Sequence, residues 1–307
     1  VVLLIPMYII CFMEKLFKSL EGAYAPNTIK AYKADFTHYL RWCQKNHQEP
    51  ESVCTAIFVK YLNEMSQELT SATIQRRIAS LSQIFKFTSV PNITKEPEVL
   101  LELKKINRRI GRSQKQATPL TLEVMRKLQA VCDKGIVGLR NRLLLQLGYE
   151  SMRRRSEICA FRFDDIKKLP NGKHALLLRK SKTDQFGEGK LIPISDALVE
   201  MINHWQERIK QIDGYILRSF KRDLSVREGL DPATLNKILK ALQRKAKMKD
   251  MGELSGHSFR VGAAVDLLDK GVPLERIMLR GGWKSENTAL RYLRNWDDSD
   301  WLLIGEA

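Results

Sequence analysis

Three groups of residues in this chain have side chains and spacings suited to chemistry on a phosphate. The first is the run Arg153-Arg154-Arg155, followed by Ser156-Glu157-Ile158. Successive helical residues point about 100° apart, so three consecutive guanidiniums cannot all face one ligand. Glu157 stands three residues after Arg154 and shares its face. Standing alone, such a run reads more readily as a solvated basic surface, and its context has to argue otherwise. The second group is Ser255-Gly256-His257-Ser258-Phe259-Arg260, in which Gly and Ser frame a helix start and His257 and Arg260 fall on one face. A helix N-terminus offers free N–H groups and partial positive charge, so a phosphate there would meet both side chains and backbone donors together. The third is Gly281-Gly282-Trp283, with Tyr292 nine residues on. The glycines let backbone approach closely, and the indole N–H is a donor with no acceptor.

Taken in chain order, Arg154 with Glu157, Lys182, His257-x-x-Arg260, Trp283 and Tyr292 resemble the active-site set of the tyrosine recombinase (phage integrase) family. Gly256-His257-Ser258, Arg260-Val261-Gly262-Ala263-Ala264, Gly281-Gly282-Trp283 and Tyr292-Leu293-Arg294-Asn295 are most similar to its Cre-like members. The resemblance implies that Arg154 and Arg260 grip the non-bridging oxygens of a scissile phosphate, a task suited to the always-charged guanidinium fork. It implies that Tyr292 is the nucleophile, that Lys182 protonates the departing 5′ oxygen, and that His257 assists proton transfer. Lys180 and Lys190 are the competing lysines nearby. Trp283 takes the place of a second histidine and donates its N–H to phosphate, and Glu157 is a supporting carboxylate that positions the others. Within the arginine run, Arg-x-x-Glu spacing favours Arg154, although Met152-Arg153 replaces the small or aliphatic residues usual before it.

Elementary chemistry agrees with that set. A tyrosine with a pKa of about 10 is protonated at neutral pH and needs neighbouring cations to attack phosphorus, and the leaving sugar oxygen needs a proton. Neither metal nor other cofactor is expected. Asp164-Asp165 and Asp297-Asp298 each sit near a helix end, where acids commonly cap, and no Walker-type loop is present. A phosphotyrosine bond conserves the phosphodiester, so rejoining needs no nucleotide. Three alternatives stand beside this reading: an inactive DNA-binding relative, a type IB topoisomerase-like relaxing activity, and a basic protein on anionic membranes.

The elements that must position these residues are mostly helical. From Asn27 onward Ile29, Tyr32, Phe36, Tyr39, Leu40 and Trp42 recur near the 3.6-residue period, and Thr55 to Met65 and Ser71 to Phe87 behave alike. Beyond Thr118-Pro119, Thr121 to Cys132 and Leu139 to Gly148 read as helices, the second buried. Lys173 to Leu178 and Lys190 to Ile194 flank a polar, Gly-containing turn and predict an antiparallel hairpin. Pro232 to Lys247, Ser258 to Lys270, Pro273 to Arg280 and Glu286 to Tyr292 complete a helical remainder. The expected fold is mainly α: a helical core-binding bundle at 23–110, a basic linker at 111–119, and an α+β catalytic domain at 120–307 with a small antiparallel sheet. Residues 1–22 are read as a leader, non-native or mistranslated over Val1 to Phe12, against the alternative of a short packing segment. That apolar stretch falls short of the roughly 20 residues a membrane helix requires and lacks the basic start of a signal peptide.

Composition points the same way. The 307 residues carry 52 Lys and Arg against 35 Asp and Glu, a formal +17, on an ordinary 44% hydrophobic fraction, which favours a polyanionic partner over a disordered tail. Five widely spaced cysteines suggest a reducing, cytoplasmic setting. The resemblance implies double-stranded DNA with a short inverted-repeat site as partner, clamped by the two domains, without an added arm-binding domain. Thr73, Gln75, Arg76 and Lys86 are the candidate base-reading face, and Arg108, Arg109 and Arg112 the candidate backbone contacts. The apolar tail of Trp296, Trp301, Leu302, Leu303 and Ile304 implies docking into a neighbouring protomer, with a tetramer on paired sites.

Overall fold

The computed structural model describes residues 7–88, 90–111, 116–181 and 189–293, with side chains from 13 to 290 within those ranges. The chain divides into two compact units, Val1–Lys115 and Gln116–Ala307.

The first unit is helical: α1 (Met7–Ser19), α2 (Pro26–Lys45), α3 (Thr55–Glu68), α4 (Ser71–Thr88) and α5 (Pro97–Ile110). Proline at the first turn of α2 and of α5 gives up an N–H that no helix could satisfy. The apolar stripe of α2 buries Ile29, Phe36, Tyr39, Leu40 and Cys43 against α4. An aromatic cluster of Tyr39, Phe58, Tyr61 and Phe85 fills the centre, with ring centroids 5.5–6.0 Å apart. Buried phenols need partners, and the Tyr39 hydroxyl donates to the Pro50 carbonyl at 3.0 Å. Residues before 23 contribute α1, whose Phe17, with Leu20 just beyond it, is buried in this core, as the packing-segment alternative expects. The basic residues Lys104, Lys105, Arg108 and Arg109 lie in α5, which packs on α3 and buries Val99 and Ile106.

The second unit contains α6 (Leu122–Ala130), α7 (Ile136–Ser151), α8 (Arg155–Ala160), β1 (Ile166–Lys168), β2 (His174–Leu178), β3 (Lys190–Ile194), α9 (Asp196–Ile209), α10 (Pro232–Lys245), α11 (Ser258–Asp269), α12 (Leu274–Gly281) and α13 (Glu286–Leu293). The sheet is antiparallel in the order β1-β2-β3, with Ile166 opposite Leu176 and Leu176 opposite Ile192. Helix α7 is buried along most of its length through Leu143, Leu144, Leu145 and Leu147. It contacts both α9 and α11. Gly148 lets α7 lie against the Phe259 ring, since a Cβ there would meet ring carbons at 2.8 Å. No described helix is long and apolar enough to cross a membrane.

Candidate active site

The arginine run is sorted by the way α7 ends. Its C-cap is Met152, a fully buried non-glycine residue in the left-handed region at φ 51°, whose N–H bonds the Gly148 carbonyl at 3.2 Å. Such a conformation costs a non-glycine residue of order 1–2 kcal/mol, so the surrounding packing has to hold it. The chain then turns abruptly. Arg153 goes inside, with 3% exposure, Arg154 becomes the N-cap of α8, and Arg155 faces solvent. Arg154 and Glu157 form a reciprocal pair: the Arg154 backbone N–H donates to Oε2 at 3.1 Å and its Nη1 to Oε1 at 2.8 Å. Glu157 is buried and therefore rigid.

Facing α8 is the start of α11. Gly256 touches α8 so closely that a Cβ would lie 2.5 Å from the Arg155 Cβ. Its N–H donates to Asn236 Oδ1 at 2.8 Å, tying the loop to α10. The Leu120 N–H donates to the Ser258 carbonyl at 2.9 Å, and Gly262 admits the Leu120 backbone against α11. These contacts fix the N-cap residue His257 beside Arg260 and Arg154. Burial, and then those two guanidiniums, push the imidazole pKa down to about 4, so His257 is neutral at physiological pH. Arg260 is 2% exposed and its guanidinium stacks over the Trp283 ring, 4.4 Å from the centroid.

Trp283 folds back over Gly281, where a Cβ would meet the indole at 2.2 Å. Gly282 closes α12 at φ +70°, and its missing side chain leaves room for Arg153, whose Nη1 would lie 2.8 Å from a Cβ. Burial pushes Arg153 down to about 10, with Glu157 opposing the shift and Arg154 and Arg280 adding to it. The Lys190 ammonium donates to the Leu279 carbonyl, and burial together with Arg153 lowers its pKa. Arg153, Arg154, Arg260, Lys190 and the neutral imidazole of His257 thus lie in one region with the buried carboxylate of Glu157. Among the described residues, that surplus of cations is suited to an anion.

The structure brings Arg154, Glu157, His257, Arg260 and Trp283 into this one region. Tyr292 lies in α13, which packs on α11 and α12, and its side chain is outside the described residues, as are Lys182, Arg112 and the tail. Sequence reasoning did not single out Arg153, because adjacent arginines are equivalent until a turn separates them. The acidic pair Asp164-Asp165 is taken up by Arg179 at 2.6 and 2.5 Å. In the first unit, the Gln75 amide donates to Asn107 at 3.1 Å and Arg76 is salt-bridged to Asp35. Thr73 is hydrogen-bonded to Thr70, Lys86 and Arg108 are exposed, and Arg109 donates to Ser66 at 2.7 Å and Asn63 at 3.1 Å. Several candidate DNA contacts therefore also hold helices together.

Residues 119–298 match the phage integrase family and residues 9–89 match its N-terminal SAM-like domain, so the chain belongs to the phage integrase family, the tyrosine recombinases. It is similar to an integrase/recombinase xerD homolog of Selenomonas ruminantium, 28% identical over 287 residues, covering 90% of this chain and 84% of that protein. It is also similar to the recombinase cre of Escherichia phage P1, 26% identical over 313 residues, covering 92% and 88%. A lambda integrase tetramer bound to a Holliday junction shares the fold at a TM-score of 0.66 and 17% identity, covering 92% of this chain and 76% of that one.

Proposed function

We propose that this recombinase cuts and rejoins duplex DNA through a covalent 3′-phosphotyrosine at Tyr292, without metal or nucleotide. The observation that carries the reading is the meeting of Arg154, His257 and Arg260 where α8 and α11 begin, with Arg154 held by Glu157. In this scheme Arg154 and Arg260 hold the non-bridging oxygens and neutralise charge as phosphorus becomes five-coordinate. Neutral His257 accepts the phenolic proton, the Tyr292 oxygen bonds to phosphorus, and the bond to the 5′ oxygen breaks. Lys182 donates a proton to that oxygen, leaving a free 5′ hydroxyl. Reversal with the 5′ hydroxyl of a second strand rejoins DNA and frees Tyr292. Trp283 donates to phosphate through its N–H. Glu157 acts by holding Arg154.

The substrate in this reading is a short inverted-repeat site, with the chain a monomer or weakly associated alone and a tetramer on paired sites. The name of the lambda integrase structure, a tetramer on a Holliday junction, supports that assembly. The basic excess supports DNA affinity that falls steeply with salt. Trapping tests the proposal. The protein is incubated with a random-fragment DNA pool without added metal or nucleotide, denatured, and any covalently held DNA is sequenced. An adduct that disappears in Tyr292→Phe is expected. DNA binding with no adduct, under conditions where a relative traps, would favour a binding protein that has lost the chemistry.

A further inference from the structure

We infer that Arg153 is a positioning residue of this active site: it supports the Gly281-Gly282-Trp283 turn from beneath and adds a buried positive charge behind the phosphate. The inference rests on the proposed chemistry and adds a residue to it.

The side chain is costly where it lies. Its Nε donates to the Ser151 carbonyl at 2.9 Å, while Nη2 is buried and has no hydrogen-bond partner among the described residues. Its sequence neighbour Met152 and the turn residue Trp283 belong to a small apolar cluster with Val261, Ala264 and Ile277, a setting that a Leu or Met would suit better. Removing a guanidinium from water without full pairing is unfavourable, and replacing a buried charge by an apolar residue of similar volume is often neutral or stabilising. A stability argument therefore predicts an apolar residue here. Two geometric facts point to what Arg153 does instead. Its guanidinium fills the space under Gly282, the left-handed residue that ends α12 and directs the chain into Trp283. Trp283 in turn stacks on Arg260. The order of contact is Arg153, turn, indole, Arg260. Through it a buried cation with no salt-bridge partner among the described residues sets the place of a phosphate-gripping guanidinium. Its charge adds to those of Arg154 and Arg260 beside the Glu157 carboxylate, which favours an anion that gains charge in the transition state.

The experiment compares the wild-type chain with Arg153→Met and Arg153→Lys on a trapped DNA site, reading three quantities: DNA affinity, the single-turnover rate of adduct formation, and the melting midpoint. Arg153→Met should form adduct about 10–100-fold more slowly, with affinity little changed and a midpoint equal to or above wild type. Arg153→Lys should recover part of the rate because it restores the charge. Equal rates in wild type and Arg153→Met would overturn the inference. So would a rate loss that tracks a lower midpoint in both variants, since that is a purely structural role. A wild-type chain with no Tyr292-dependent adduct would fail the proposed chemistry itself, and the role of Arg153 with it.

Discussion

Asp35 and Glu157 are both carboxylates sunk below the surface, one in each unit, and they keep different company. Asp35 is 1% exposed and is met by the Ser80 hydroxyl at 2.7 Å, by Arg77 at 3.6 Å and by Arg76. The Arg76 side chain stays half exposed, so charge leads outward to water. Around Glu157 the ion-pair partner Arg154 keeps 29% of its side chain exposed, while its neighbour Arg153 and, on the facing helix, Arg260 are buried. The first arrangement is a brace, in which an acid joins α2 to α4, with Arg76 half exposed and Arg77 largely covered. The second sets two buried guanidiniums beside the Arg154–Glu157 pair, and in the proposed scheme an arriving phosphate offsets the cost of burying them. In that reading, buried cations in excess of the acids distinguish the second cluster from the first.

That contrast can be broken by substitution. The largest effect is expected from Arg260→Met, which keeps the apolar stem and removes the charge. Adduct formation should fall about 10²–10³-fold in single-turnover trapping while the urea midpoint moves little. An intact rate would make Arg260 a packing residue and erase the distinction. Next comes Asp35→Ala, which should destabilise the protein by about 2–3 kcal/mol in urea titration, below the usual cost of breaking a buried pair because Arg76 can rehydrate. The adduct rate per folded molecule should be unchanged, and a selective loss of rate would move the brace into the machinery. The smallest effect sharpens the comparison through pH. His257 has a folded pKa near 4, below its unfolded value of about 6.5, so on acidification the unfolded chain binds the proton first. Its contribution to stability is complete above about pH 6.5 and is lost as pH falls toward 4. Melting midpoints across that window should decline less steeply in His257→Gln.

Much of the architecture was legible in the sequence where a long periodic signal existed. Helices α2, α3, α4 and α7 each bury the apolar positions that their spacing marks, and β2 and β3 flank the polar turn predicted between them. Strand β1 has only three residues, too few to show alternation, and it exists because β2 offers a free edge. Helix α1 was hidden by composition, since an apolar opening reads alike as a leader or as a packed helix until a partner surface is present. Helix α5 was masked by its basic residues, because two buried apolar side chains, Val99 and Ile106, are enough to seat it on its neighbours.

By itself the sequence determined what is local. A three-residue spacing on a helical turn places Glu157 against Arg154 and Arg260 on the face of His257, beside the free N–H groups of a helix start. Only the tertiary structure decided which arginine went inward. That choice depends on the left-handed turn at Met152 and on space left by two glycines far along the chain, Gly256 against Arg155 and Gly282 against Arg153. Close approaches of this kind are made by the absence of a side chain at one point and the depth of another hundreds of atoms away, so they become defined only when the two segments meet.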